Sequence, residues 1–358
     1  MSALNLGIVN SNISKFFQKS NVAQVTACGN ELRVNLEASR IVTELRLKGS
    51  NDTSEGEATA IVDCSVLKTL MGTIETSEVT LEFTDTGIIV HAGRSKFNLP
   101  KMLEDVDVDL NRPKMEGLED FAEVSKTGWI YVRDHQMYAI ALSFTHAVYT
   151  RVYVGEDGNV IVGDFDNSIF TVSQKAKLQS TCLLAHTVIN LFASLPDGAK
   201  IAPNGTSYVI AVTTDGFDMY SQFEPYYESD PGTGSYNADM IMGLMQVPTS
   251  GEIVVSPAGV LKLLRQASLL INGSRAVITM EVTDKEMILH DQHTESRITL
   301  PDAPHAHFKL DFDMSLLMPA ISKYEEETVK IYPAMAEDEV VGIILHSDDL
   351  TTVLAGVE

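Results

Sequence analysis

At 358 residues the chain exceeds one ordinary hydrophobic core and suits two or three domains. Its 44% hydrophobic and 21% charged content is that of a soluble globular protein, whereas a net charge of −23 opposes loose adsorption to polyanions such as nucleic acid. Three scattered cysteines (Cys28, Cys64, Cys182), no leader-like start and no membrane-length apolar run together predict a cytoplasmic protein with reduced thiols and no membrane partner.

The first predicted element is a helix over 10–21, with Ile13, Phe16 and Phe17 on one face. Strand-like alternation fills 22–47 and turns at Gly29-Asn30. A Gly/Ser/Asp/Glu loop over 49–56 leads into residues 62–100. There Val66, Leu67, Leu70, Met71 and Ile74 have the spacing of a helix face. The period then changes to two: Val79-Leu81-Phe83, a turn at Thr84-Asp85-Thr86-Gly87, Ile88-Val90, and a further strand with Phe97 and Leu99. The unit is a helix followed by an antiparallel meander.

Residues 103–117, acidic and broken by Pro113 and Gly117, read as a linker. A strand is predicted over 121–132, and a helix over 134–147 with Met137, Ile140, Ala141 and Phe144 inward. Strands follow over 148–174, turning at 156–159. The next helix, over 183–196, puts Leu184, Val188, Leu191, Phe192 and Leu195 on one side, and a hairpin follows with its turn at Thr214-Asp215-Gly216. Residues 225–239, rich in Pro, Gly and Ser, read as a second linker. Ser256 caps a helix with Pro257 at its first position. A meander over 276–300 turns at Thr283-Asp284-Lys285. The last helix carries Leu316, Leu317, Ala320 and Ile321, with Pro319 expected to kink or shorten it. Three strands close the chain.

Helix centres fall near Phe16, Leu67, Ile140, Ile189, Leu263 and Ala320, alternately about 50 and 70 residues apart. That spacing predicts an α+β protein of three similar domains, each two helix-plus-β-meander units: 1–116, 117–240 (including the linker 225–239) and 241–358. The helices are locally neutral to basic on this acidic chain. They bear Lys15, Lys19, Lys68, Lys262, Arg265 and Lys323, with His135, His146 and His186 on the third and fourth. In isolation such residues merely solvate an outer face. Repeated along six helices, they fit six elements facing one polyanion while the acids face away.

Other chemistry is poorly supported. His290-x-x-His293-x-Glu295 and His305-Ala306-His307 lack zinc-site spacing and cysteines. Asp164-x-Asp166-Asn167 lacks the glycine and closing glutamate of a calcium loop, and Asp105-x-Asp107-x-Asp109 reads as a solvated linker. Neither a phosphate-binding Gly-rich loop nor a nucleophile elbow occurs. No catalytic residue, metal or cofactor is expected.

Several stretches resemble the bacterial DNA polymerase III beta subunit, the sliding clamp: Gly93-Arg94-Ser95-Lys96-Phe97-Asn98-Leu99-Pro100, the helix-strand passage 137–172, and Val247-Pro248 ahead of Val260-Leu261-Lys262-Leu263-Leu264. The similarity is diffuse and covers nearly the whole chain. It implies the DNA clamp fold, closed into a ring by head-to-tail dimerisation of a homodimer, with Arg94–Leu99 near the subunit edge. The ring would hold double-stranded DNA without sequence preference, facing it with Lys15, Lys19, Lys68, His146, Lys262, Arg265 and Lys323. A hydrophobic pocket would take peptides of DNA polymerase and clamp loader, its wall including Ile169, Val247, Pro248, Val353 and Leu354. Asp164-Phe165-Asp166-Asn167-Ser168 stands where the family often has Thr-Asp-Gly-His-Arg, and the chain ends Leu-Ala-Gly-Val-Glu. Such departures suit a remote member, one carried by a phage for instance. The competing reading is a repetitive β-rich structural or assembly protein without a nucleic-acid role; a carboxylate-dependent hydrolase ranks below it.

Overall fold

A computed structural model of the chain describes residues 2–6, 22–38, 40–51, 57–74, 79–102, 110–115, 118, 121–141, 147–215, 217–227, 236–248, 251–269, 276–300, 306–336 and 339–357. The expected first helix, with Lys15 and Lys19, lies outside them, as do Phe144, His146 and His305.

Local signals set most hairpins. Val22–Cys28 and Glu31–Ala38 pair in antiparallel register across Gly29-Asn30, where Gly29 takes φ +57°, a conformation glycine adopts without strain. Three further turns share one device. Thr84, Thr214 and Thr283 each donate an Oγ1 hydrogen bond three residues ahead, to the carbonyls of Gly87 (3.0 Å), Phe217 (2.9 Å) and Glu286 (3.1 Å). Two helices share another device. Asp63 Oδ1 accepts from the Ser65 amide at 2.8 Å and its hydroxyl at 2.6 Å, and Asp313 repeats both distances with Ser315. The helices Cys64–Thr73 and Met314–Ser322 thus start on the same Asp-x-Ser cap. Such recurrence at corresponding points of the repeat supports internal duplication. The Ser65 contacts hold the Asp63 carboxyl below the usual carboxylate range. Asp313→Ala should cost about 1 kcal/mol in the denaturant midpoint. Asp63→Ala should shift it in the same direction.

Contacts group the chain into two compact units. One is Met1–Lys126 with Asn190–Pro225. Among the described residues it holds a twelve-stranded antiparallel sheet, whose longest path runs from Ser95–Pro100 through Gly87–Ala92, Val79–Thr84, Ser2–Leu6, Ile41–Asn51, Phe217–Phe223, Ser207–Thr213 and Lys200–Asn204 to Ala122–Glu123. The helix Cys64–Thr73 buries Leu67, Leu70 and Met71 in this unit's core, while Val66, expected inward, is exposed. Ile41–Asn51 runs into the expected 49–56 loop because Gly49, Ser50 and Asn51 pair with Leu6, Asn5 and Leu4. Leu110, in the expected first linker, is buried, and Asn111 hydrogen-bonds Glu37 at 3.1 Å.

The other unit is Thr127–Ile189 with Tyr226–Glu358. It contains an eight-stranded sheet ordered Cys182–Ala185, Arg151–Val154, Val160–Asp164, Ile169–Ser173, Thr351–Ala355, Glu339–His346, Val329–Ala336 and Ile253–Val255, and a four-stranded sheet of Glu295–Thr299, Glu286–His290, Val277–Val282 and Phe308–Asp313. The stretch 117–240, expected as one domain, is shared between the units. Its Phe217–Phe223 strand pairs with Ile41–Asn51, whereas its Ile169–Ser173 strand pairs with Thr351–Ala355. Sheets continue through the expected boundaries, so backbone pairing groups each half of the stretch with a different neighbour.

Two elements differ from expectation in kind. Residues 121–132 hold only a two-residue strand, and Lys126–His135 is a helix. Its β-branched and aromatic residues imitate a strand, but Trp129 and Val132 are one helical turn apart and both fully buried. Of the helix expected over 134–147, the described residues form the end of Lys126–His135 and 3₁₀ turns at Met137–Ala139 and Ala147–Thr150, and 142–146 lie outside them. Buried Gln136 sits at the junction. Its amide donates to the Val160 carbonyl at 3.0 Å, and its oxygen accepts from the Ser173 hydroxyl at 2.8 Å. The expected second linker also carries structure, with Tyr236 buried and Ala238–Leu244 helical. Pro257–Ser268 begins as expected, with the Ser256 hydroxyl accepting from the Gly259 amide at 3.3 Å. Met314–Ser322 contains Pro319 and continues three residues beyond it.

Candidate peptide-binding cavity

Within the Thr127–Ile189 and Tyr226–Glu358 unit lies a cavity of about 390 Å³. Four strands and one helix build it. Phe170 comes from Ile169–Ser173, Val353 and Ala355 from Thr351–Ala355, Ile344 and Val341 from Glu339–His346, and Pro333 and Met335 from Val329–Ala336. Gly243 and Leu244 of the Ala238–Leu244 helix, then Gln246 and Pro248, form a further wall. Pro333 cannot donate to the ladder, and a register shift follows between Ala334 and Met335. Val341 is the extra residue of that bulge on the facing strand, and it lines the space beside its neighbour Gly342.

The lining contains no charged side chain, and its polar side chains are Ser168 and Gln246. Leu244, Met335 and Val341 are 47%, 53% and 43% exposed around it. An apolar concavity with an exposed apolar rim is the usual form of a ligand or peptide site. Aromatic rings support its floor. Phe165 meets Phe170 edge-on at 4.8 Å and Tyr149 at 4.5 Å, and Tyr149 meets Tyr236 at 4.9 Å. Burial raises the Tyr236 phenol above its ordinary range. Phe170 lies over Gly163, its cross-strand partner, where a side chain would collide with the ring. Near the cavity, the Tyr332 hydroxyl donates to Glu252 at 3.0 Å, and Lys330 lies 3.2 Å from the same carboxylate. Those contacts, Lys330 foremost, hold the Glu252 carboxyl below its usual range.

The turn before Phe170 is fixed by Asp164, which accepts from the Asp166 amide at 2.9 Å and the Asn167 side chain at 2.6 Å. Asp164 is buried, and its carboxylate holds an Asx turn. Ser168 closes the turn at φ +49°, unusual for a residue other than glycine.

Of the five expected wall residues, Pro248 and Val353 line the cavity. Val247 packs, partly buried, against the core behind it. Ile169 and Leu354 are cross-strand partners, both fully buried and not among the lining residues. Side chains alternate along a strand, so the lining positions are their neighbours Phe170 and Val353. Phe165, Leu244, Met335 and Ile344 were not anticipated. The apolar run Met240-Ile241-Met242-Gly243-Leu244 was the available signal for the helical wall.

Among the expected DNA-facing residues, Lys68, Lys262 and Arg265 are exposed on their helices. Pro257–Ser268 and Met314–Ser322 pack against each other. Lys323, at the end of the latter, is half-buried and donates to the Asp134 carbonyl at 2.7 Å. His135 stacks on Tyr131 with ring centroids 4.2 Å apart.

Among the described residues, no three His, Cys, Asp or Glu side chains gather where a metal ion could bind, and no helix is long and apolar enough to cross a membrane. His307 pairs with Asp284 at 2.6 Å, and His290 lies 3.7 Å from Glu281. The three cysteines are free thiols, and burial pushes the Cys182 thiol up to about 12.

No protein-family model and no curated protein matches the sequence. Solved structures do. A DNA polymerase sliding clamp from Bacillus subtilis matches with a TM-score of 0.77 at 14% identity, over 100% of this chain and 99% of that one. The DNA polymerase III beta subunit from Thermotoga maritima matches with a TM-score of 0.77 at 11% identity, covering 100% of both chains. The Helicobacter pylori beta clamp bound to a DNA ligase peptide matches at 0.73 with 11% identity, again over 100% of both. The chain therefore has the fold of the DNA polymerase III beta subunit, the sliding clamp.

Proposed function

We propose that this chain is a DNA sliding clamp, a non-catalytic accessory subunit that encircles duplex DNA and tethers a DNA polymerase and other partners by short peptides. The observation that carries the reading is an uncharged cavity of about 390 Å³ on a chain of net charge −23 that has the clamp fold. A site without charge on so acidic a protein suits the apolar side chains of a docking peptide. The Helicobacter pylori clamp of the same fold was solved with a DNA ligase peptide.

The ring reading rests on strands that end their sheets among the described residues. Ser95–Pro100 ends the path of the twelve-stranded sheet, with Phe97 40% exposed, and Glu295–Thr299 ends the four-stranded sheet. Exposed strand edges are ready to pair with another chain. Pairing one with the other between two copies would give a head-to-tail dimer, with three domains, 1–116, 117–240 and 241–358, in each subunit. Lys68, Lys262 and Arg265 would then face the DNA, with Lys15, Lys19, His146 and Lys323 on the same wall. Enclosure needs little affinity, and weak phosphate contacts permit sliding. A β-rich assembly protein has no need of an uncharged cavity.

The expected result is a dimer in solution that, once loaded, stays on closed circular DNA and is lost when the circle is cut. A strict monomer at high concentration, or equal retention on circular and linear DNA, would sink the reading.

A further inference from the structure

We infer that the cavity takes a peptide whose apolar anchors are flanked by Lys or Arg rather than Asp or Glu; this refinement rests on reading the cavity as a peptide-docking site. Its size and uncharged lining admit several aliphatic or aromatic side chains. What surrounds it is predominantly acidic, and the nearby Lys330 is paired with Glu252 at 3.2 Å. Four stretches of chain build the cavity: 164–171, 238–248, 332–336 with 339–344, and 351–357. None contains a Lys, Arg or His.

Three exposed acids lie at its margin. Asp166 stands between the lining residues Phe165 and Ser168 in the Asx turn. Asp239 is one helical turn before Gly243, and side chains at that spacing share a helix face. Glu339 is the cross-strand partner of Ala336, so both project to the same side of the sheet. These acids lie on three of the four stretches. A peptide seated in the cavity therefore emerges past carboxylates whichever way it runs. Over a Debye length, about 10 Å at 0.1 M salt, such carboxylates act on a peptide's flanks without touching them. Cationic flanks are attracted and steered, and acidic flanks are repelled. The apolar core supplies affinity for any such peptide, and the rim selects among them.

Three synthetic peptides test this with the full chain, by fluorescence anisotropy at low salt. All share a Leu-Leu-Phe core and carry two Lys, two Ser or two Glu on each side. The Lys-flanked peptide should bind about tenfold tighter than the Glu-flanked one, with the Ser-flanked peptide between. The gap should narrow at about 0.5 M salt. Asp166→Lys, Asp239→Lys and Glu339→Lys combined should reverse the order. All three positions are exposed, so the fold should tolerate the changes. Leu244→Ala, Met335→Ala and Val341→Ala combined should weaken all three peptides by a similar factor. Equal affinities, or tighter binding of the Glu-flanked peptide, with that alanine response intact would overturn the inference and leave the docking site standing. Binding that ignores the alanine changes, or no binding at all, would overturn the docking site and the inference with it.

Discussion

Replacing Gly342 with valine should destabilise the unit that holds the cavity by roughly 3 kcal/mol or more and abolish peptide binding. A Cβ at this position would lie 2.5 Å from the Leu354 carbonyl oxygen and 2.9 Å from the Ala355 Cα. Both are backbone atoms of the neighbouring strand, and Ala355 is the register partner of Gly342. No side chain can rotate away to make room, so Glu339–His346 must separate from Thr351–Ala355. The latter strand also pairs with Ile169–Ser173, which carries Phe170 on the cavity floor. The strain therefore passes to both sides of the cavity. Urea denaturation and peptide binding should fall together. A near-native urea midpoint would show that the two strands are not held at the observed spacing.

Charge reversal on the helices should produce the largest functional change. Lys68→Glu, Lys262→Glu and Arg265→Glu combined should shorten retention on circular DNA about a hundredfold or more, while dimer mass and peptide binding stay unchanged. The three side chains are exposed on helices whose buried faces are elsewhere, so the reversals leave the cores intact. A clamp that touches DNA only through scattered phosphate contacts should also lose part of its salt dependence. Retention equal to the unmodified protein would overturn the proposed placement of these helices against DNA.

The sequence carried enough to place the hairpins and the helices that begin near Cys64, Pro257 and Met314. Glycine at 29, the Thr-Asp turns at 84, 214 and 283, and the cap at Ser256 act over three or four residues, and each operates in the structure as a local device; the caps at Asp63 and Asp313 act over the same range but were not read from the sequence. Lys126–His135 was illegible because its helix face is short and its residues favour strands in isolation. Tertiary burial of Trp129 and Val132 outweighed that propensity. The Ala238–Leu244 helix was hidden inside a stretch whose Pro, Gly and Ser content reads as linker.

The cavity separates the two kinds of information most clearly. Alternation reveals which way a strand faces only where one side is wet and the other dry. Val79–Thr84 alternates buried and half-buried, and its inward residues could be named from sequence. Ile169–Ser173 is buried at every position, so its two faces are chemically alike, and the choice between Ile169 and Phe170 carries no local signature. Antiparallel pairing of Phe170 with Val353, far apart in the chain, decided it. Sequence determined the turns, the Ser256 cap and the acidity of the chain. Tertiary structure alone decided which apolar residues face the cavity, because that depends on partners brought together by sheet pairing and not by neighbours in sequence.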